Sequence, residues 1–249
     1  MTLAPAPMEL WSPDDGVRRV LVVTAHPDDV DFGAAGSIAA FRAAGVDVAY
    51  CIVTNGEAGG SDRSMPRAEM AEIRQREQRA AAAAVGVDDL TFLGYPDGAL
   101  VVTTELRRDV TRVIRRFRPD RLITQSPQRR WDFIYASHPD HLATGEAAVC
   151  AVYPDARNPF AHPELLSDEG LEPHSVNEVW LMTADDSNRA VDISLTFDTK
   201  MAALRSHQSQ GTDNDGITER IRGMVTRNAA AAGLPEGAMA EVYRVVPTG

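Results

Sequence analysis

Apolar and polar positions fall in blocks along this chain that predict strands and helices in turn. Arg18 to Thr24 is a short, continuous apolar run built on Val20-Leu21-Val22-Val23, the pattern of a strand buried on both faces. Val46–Thr54 repeats it, and shorter strand-like runs fall at Leu90–Leu93, Arg121–Gln125, Val176–Met182, Val191–Ile193 and Glu241–Val246. Helix formers fill the intervals. Gly33–Ala44 stops at Gly45, Pro66–Val85 stops at Gly86, and Thr103 or Thr104 caps a helix ending at Phe117. Asp140–Val152, Phe197–Ser206 and Asp215–Ala232 complete the helical set. Strand and helix alternate, so the expected fold is α/β, a mostly parallel sheet with helices on both faces. We read residues 1–249 as a single domain, with residues 1–15, proline-rich and unpatterned, as an N-terminal arm. The segments Ser126–Ser137 and Pro154–His174 are long for connections and are expected to carry function or act as lids.

Composition narrows the partners. The chain has 249 residues, 44% hydrophobic and 24% charged, enough for a large core, and a formal charge of −11. That charge argues against nucleic acid and against an anionic membrane surface. No apolar run approaches the ~20 residues that span a bilayer. The start of the chain has neither the basic residues nor the apolar stretch of a secretory signal, so a cytoplasmic protein is expected. Cys51 and Cys150 sit in apolar surroundings and are expected to be buried small hydrophobes. The substrate is expected to be a small, uncharged or polar molecule.

Two His-Pro-Asp starts then stand out. His26-Pro27-Asp28-Asp29 follows the first strand, and His138-Pro139-Asp140-His141 opens a helix after the Arg121–Gln125 strand. In parallel sheets ligands bind outside the carboxyl ends of strands, so these distant motifs can meet in one cleft. Each proline pushes the preceding histidine to extended geometry. His26, Asp29 and His141 offer three ligands, the usual number for a catalytic zinc that keeps a position open. Two histidines and a carboxylate also suit Fe2+. Asp28 is left as a free carboxylate able to act as a base. His138, as imidazolium, could stabilise an oxyanion or protonate an amine, with Asp140 holding its tautomer. Tyr135 could donate to an oxyanion. The plain alternatives are helix caps for Asp28, Asp29 and Asp140 and loop packing for Tyr135. Caps account for one acid per helix, not for adjacent aspartates ringed by histidines. His162 and His174 are expected at the surface, and His207 at a helix C-terminus or beside the site. Neither G-x-S-x-G nor H-E-x-x-H is present.

Taken with T-N-G-E-A-G-G at Thr54–Gly60, R-x-x-E at Arg74–Glu77, Y-P-D-G at Tyr95–Gly98 and S-H-Q-S-Q at Ser206–Gln210, the two histidine motifs resemble the PIG-L/LmbE-like zinc deacetylases over roughly Arg18 to Gln210. The resemblance implies a Rossmann-like fold and zinc-dependent hydrolysis of an N-acyl group, usually N-acetyl on glucosamine. It implies His26, Asp29 and His141 as zinc ligands, Asp28 as general base and His138 as the electrostatic or acid partner. Glu57, Arg74 and Asp97 match positions that hold sugar hydroxyls. The family tyrosine often sits two residues before the second histidine motif, whereas Tyr135 sits three before His138. Rivals are an amidase of the same scaffold taking a larger acyl or thiol conjugate, a non-catalytic sugar-binding metalloprotein and an Fe2+ oxygenase. Many relatives self-associate, so a homo-oligomer is an open expectation.

Overall fold

The computed structural model describes residues 8–249. Its strands are β1 (Glu9–Leu10), β2 (Arg19–Thr24), β3 (Asp47–Thr54), β4 (Asp89–Tyr95), β5 (Arg121–Gln125), β6 (Glu178–Met182), β7 (Arg189–Asp192) and β8 (Ala240–Pro247). Its helices are α1 (Asp29–Gly33), α2 (Ala35–Ala43), α3 (Arg67–Ala84), α4 (Thr104–Phe117), α5 (Pro139–Cys150), α6 (Glu164–Ser167), α7 (Phe197–Arg205) and α8 (Asp215–Ala231). One sheet takes the order β1-β7-β8-β6-β5-β2-β3-β4. β2 through β6 pair in parallel, and β8 runs antiparallel between β6 and β7. This is the expected α/β, Rossmann-like arrangement.

Successive side chains of a strand point to opposite faces, and β2 shows why its run is continuously apolar. Val20 and Val22 pack with Ile38, Phe41 and Leu204, from α2 and α7. Leu21 and Val23 pack on the other face with Val110, Ile114 and Ala147, from α4 and α5. Each such side chain, fully buried, contributes roughly 1.5–3 kcal/mol. β2 has β3 on one side and β5 on the other, so the chain winds away from it in both directions. The carboxyl ends of β2 and β5 therefore border the crevice where such sheets place ligands.

Three expectations change. The helix expected over Gly33–Ala44 is α2, Ala35–Ala43, and a separate short helix, α1, stands before it, parted from it by a break at Ala34 (φ −142°, ψ −5°). Lys200 Nζ donates to Asp31 O and Phe32 O, each at 2.7 Å, and Glu241 accepts from the Gly36 and Ser37 amides at 3.1 and 2.7 Å. Lys200 and Glu241, both buried, are 2.7 Å apart. Backbone groups freed by the break are thus paired from remote parts of the chain. Second, the Pro154–His174 segment is pinned rather than free. Arg107 grips Asp155 with two bonds of 2.9 and 2.7 Å, and Arg115 donates to the carbonyls of Asp155, Ala156, Asn158 and Ala161. Third, His162 and His174, expected at the surface, are half-buried in this packing. His162 Nε2 lies 3.4 Å from Asp155, and His174 Nε2 lies 2.7 Å from the Pro119 carbonyl.

Of the expected arm, residues 1–7 lie outside the described residues, and Glu9–Leu10 pairs in parallel with β7 at the sheet edge. Cys51 and Cys150 are free thiols; Cys51 is buried, and Cys150 only partly. Among the described residues no helix is long and apolar enough to cross a membrane.

Candidate metal centre and active site

β2 ends at Thr24, and the turn that follows carries the first motif. Asp28 adopts φ +99°, a left-handed conformation that side chains other than glycine rarely take, and its side chain makes no capping bond to α1. The plain helix-cap explanation of Asp28 therefore fails. His26 Nδ1 lies 3.3 Å from Asp29 Oδ2, and His141 Nε2 lies 3.0 Å from Asp29 Oδ1. Donor atoms of His26, Asp29 and His141 all fall within 4.8 Å of one another. His141 reaches this point because α5 lies close against the end of β5. A Cβ on Gly145, one turn further along α5, would stand 2.3 Å from Gln125 O.

His26 Nε2 faces two further carboxylates, Asp97 Oδ1 and Asp140 Oδ2, each at 3.1 Å. Carboxylates on the far nitrogen of a ligating imidazole orient the ring and raise its basicity. This departs from the sequence reading of both residues. Asp97, expected on a sugar hydroxyl, also accepts from the Ala58 amide at 3.0 Å. Asp140, expected to set the tautomer of His138, instead accepts from the Gly98 and Leu100 amides at 2.7 and 3.2 Å. In the first turn of α5 its side chain turns inward, toward the loop after β4. The backbone amide of Asp140 meets His138 instead, donating to Nδ1 at 3.2 Å. Nδ1 is thus an acceptor and the proton sits on Nε2. The imidazolium form expected for His138 would oppose two N–H groups there. The His138 ring packs 4.9 Å from His26 and 5.4 Å from His141, centroid to centroid.

Arg74 is the second departure. Expected to reach a sugar hydroxyl, its side chain is 5% exposed and its guanidinium lies 3.1 Å from Asp28 Oδ2. It also donates to Gly56 O at 2.9 Å and to Pro27 O. Glu57 Oε1 accepts from the Asp97 amide at 3.1 Å, while its Oε2 is buried without a partner. Tyr135 is not brought to the cluster. It is 84% exposed, on a 3-10 turn beside Phe133.

The PIG-L family, described by GlcNAc-PI de-N-acetylase, matches residues 21–152. A diacetylchitobiose deacetylase of Thermococcus kodakarensis is 33% identical over 198 residues, covering 80% of this chain and 72% of the relative. The chain belongs to the PIG-L family. A protein of Bacillus anthracis named as a probable N-acetyl-α-D-glucosaminyl L-malate deacetylase 2 is 31% identical over 82% of this chain and 90% of its own length. The structure of N,N'-diacetylchitobiose deacetylase from Pyrococcus horikoshii in complex with an inhibitor superposes with a TM-score of 0.85 at 31% identity, covering 96% of this chain and 87% of that one.

The electrostatics of this PIG-L chain ask for a cation. Burial opposes charge on His26, yet its bonds to Asp140, Asp29 and Asp97 outweigh it and push the imidazole up to about 12. Burial likewise disfavours charge on His141, but Asp29 raises it. Asp29 is held well below the usual carboxylate range; burial opposes this and the charge of His141 prevails. Asp28 moves the other way, to about 6, because burial outweighs the attraction of Arg74. Two imidazoles and a carboxylate converging inside a ring of acids fit zinc, and equally suit ferrous iron.

Sequence reasoning missed Asp31, Gln78 and Gln125. Asp31 Oδ2 meets His207 Nε2 at 2.8 Å, so His207 is buried beside the site rather than serving the end of a helix. The signals were slight: Gln78 lies one turn beyond Arg74 on the same helix face, and Gln125 ends a strand at its carboxyl side.

Proposed function

We propose that this protein is a zinc-dependent hydrolase that removes the N-acetyl group from an N-acetylglucosamine-type amino sugar or glycoconjugate. One observation carries the reading: His26, Asp29 and His141 converge while Asp28, the adjacent carboxylate, stays outside the set. The named activities of the relatives in Thermococcus, Bacillus and Pyrococcus support it. His26, Asp29 and His141 would hold the metal, and zinc so held supplies a Lewis acid that polarises the acetamide carbonyl and makes water acidic.

The chain's own groups do the rest. Asp28, raised toward neutral pH and steadied by Arg74, takes the proton from the attacking water. His138 Nε2–H donates to the oxygen that gains charge on the tetrahedral carbon. The proton gained by Asp28 passes to the departing nitrogen, leaving acetate and a free amine. Glu57 Oε2, buried without a partner, is the acceptor offered to a sugar hydroxyl. Metal analysis of the purified protein, with an acetate-release screen of N-acetylglucosaminyl compounds, tests the reading. The expected result is about one zinc per chain and acetate from at least one compound. A metal-loaded protein that releases acetate from none would overturn it, and iron in place of zinc would overturn the metal.

A further inference from the structure

The turn from Ala25 to Asp31 is held by two side chains that no motif contains. Gln78, on α3, is wholly buried; its Oε1 accepts from the Asp28 amide at 2.8 Å and its Nε2 donates to Asp31 Oδ2 at 2.9 Å. Gln125, the last residue of β5, is 3% exposed; its Oε1 accepts from the Ala25 amide at 3.1 Å and its Nε2 donates to Asp29 Oδ2 at 2.8 Å. The two arrangements match. Each carboxamide takes one backbone N–H of the turn and gives its own N–H to one carboxylate of the turn.

We propose that Gln78 and Gln125 are the positioning residues of this site, Gln78 aligning Asp28 and Gln125 aligning Asp29. The proposal rests on the assignment of Asp28 as base and Asp29 as ligand. Chemistry selects glutamine at both places. A carboxamide donates and accepts at once without charge. A glutamate would set a carboxylate against Asp31 or Asp29, and a lysine could not accept. Asp29 Oδ2 receives both Gln125 Nε2 and the His26 amide, the latter at 2.7 Å, which leaves Oδ1 turned toward His141. The effect on Asp28 is conformational. Its φ of +99° is costly for a residue with a Cβ, and the bond from its amide to Gln78 stabilises that state. Arg74, one turn earlier on α3, lies against the carboxylate of the same residue, so one helix face grips Asp28 at both main chain and side chain. Asp31 is in turn fixed by His207, so the alignment reaches back to the segment after α7.

The test uses Gln78→Met and Gln125→Met, which keep length but neither donate nor accept strongly. Zinc affinity is read by competition with a chelator, turnover by acetate release, and local order by amide hydrogen exchange. For Gln125→Met we expect zinc affinity to fall about 10- to 100-fold, with faster exchange at Ala25. For Gln78→Met we expect zinc affinity and KM to hold, kcat to fall about tenfold or more, and the Asp28 amide to exchange faster. If the wild type releases no acetate, the functional reading fails, while zinc competition and amide exchange still decide the alignment. Unchanged zinc affinity in Gln125→Met, or unchanged exchange at Asp28 in Gln78→Met, overturns the proposal. A lower Tm with these readouts unmoved marks a merely structural role and also overturns it. Should Gln78→Met fail to fold, Gln78→Asn, which withdraws the carboxamide by one methylene, is read the same way.

Discussion

Asp28 is where the proposed chemistry and the backbone strain of this protein meet. A partly buried carboxylate with a left-handed backbone costs stability, and it sits beside the converging His26, Asp29 and His141 without joining them. Asp28→Asn keeps the size and most of the hydrogen bonding but cannot take a proton at neutral pH. We expect it to retain zinc and to lose on the order of 10²-fold in kcat, measured by metal content and acetate release on the same sample. A near wild-type rate at full metal content would show that Asp28 is not the base. Arg74 changes its prediction with its environment. A surface arginine on a sugar hydroxyl would affect mainly KM, but a buried guanidinium against Asp28 and two loop carbonyls affects folding and kcat. Arg74→Ala is expected to cost about 3 kcal/mol in urea unfolding and to lower kcat as well as any effect on KM; a pure KM effect at full stability would contradict this placement. His207 carries a pH signature. Burial disfavours its charge, but the hydrogen bond and charge of Asp31 raise its folded pKa above the usual 6.5. With the folded value above the unfolded one, its stabilisation is complete below about pH 6.5 and fades as pH rises through the folded pKa. His207→Asn should flatten that part of the stability–pH curve, read by urea midpoints from pH 6 upward.

At the scale of elements, two contacts bring the halves of the site together. α5 approaches β5 closely because Gly145 has no side chain. Its Cβ position lies 2.3 Å from a backbone carbonyl, which cannot turn aside as a side-chain tip can. Gly145→Ala is therefore expected to push α5 outward, costing about 1–3 kcal/mol and weakening zinc binding through His141. Zinc affinity at the wild-type value with stability intact would show that α5 can take the methyl. The break between α1 and α2 is the other contact. It lets Asp28 precede, and Asp29 open, a helix of only five residues, whose Asp31 and Phe32 carbonyls end on Lys200.

Across the whole molecule, that lysine joins parts of the chain far apart in sequence. Lys200 and Glu241 lie wholly or nearly buried, and they pair backbone groups left open at the facing ends of α1 and α2. Removing one partner of a buried pair leaves the other charge uncompensated. Lys200→Met is expected to destabilise by about 3–5 kcal/mol, and Lys200→Met with Glu241→Gln by less than the sum of the two. Additive losses in urea unfolding would mean that the pair is not coupled.

The sequence by itself determined the sheet, the helix alternation and the trio His26, Asp29 and His141, whose donor atoms converge. Hydrophobic period and helix stops are local, and a His-Pro-Asp turn at a strand end places its own side chains through backbone geometry. Glu57 was reached only through the resemblance carried by Thr54–Gly60, not through any turn geometry of its own. Tertiary structure alone decided what surrounds the trio. That Asp97 and Asp140 face His26, that Arg74 is buried on Asp28, and that His138 accepts at Nδ1 depend on which loops the parallel order sets side by side. The break at Ala34 was equally invisible, because its compensating groups, Lys200 and Glu241, stand more than 160 positions away. A side chain's charge and reach can be read from the residue itself. Its partner is set by packing, because a buried polar group takes whichever donor or acceptor the fold brings within hydrogen-bonding distance.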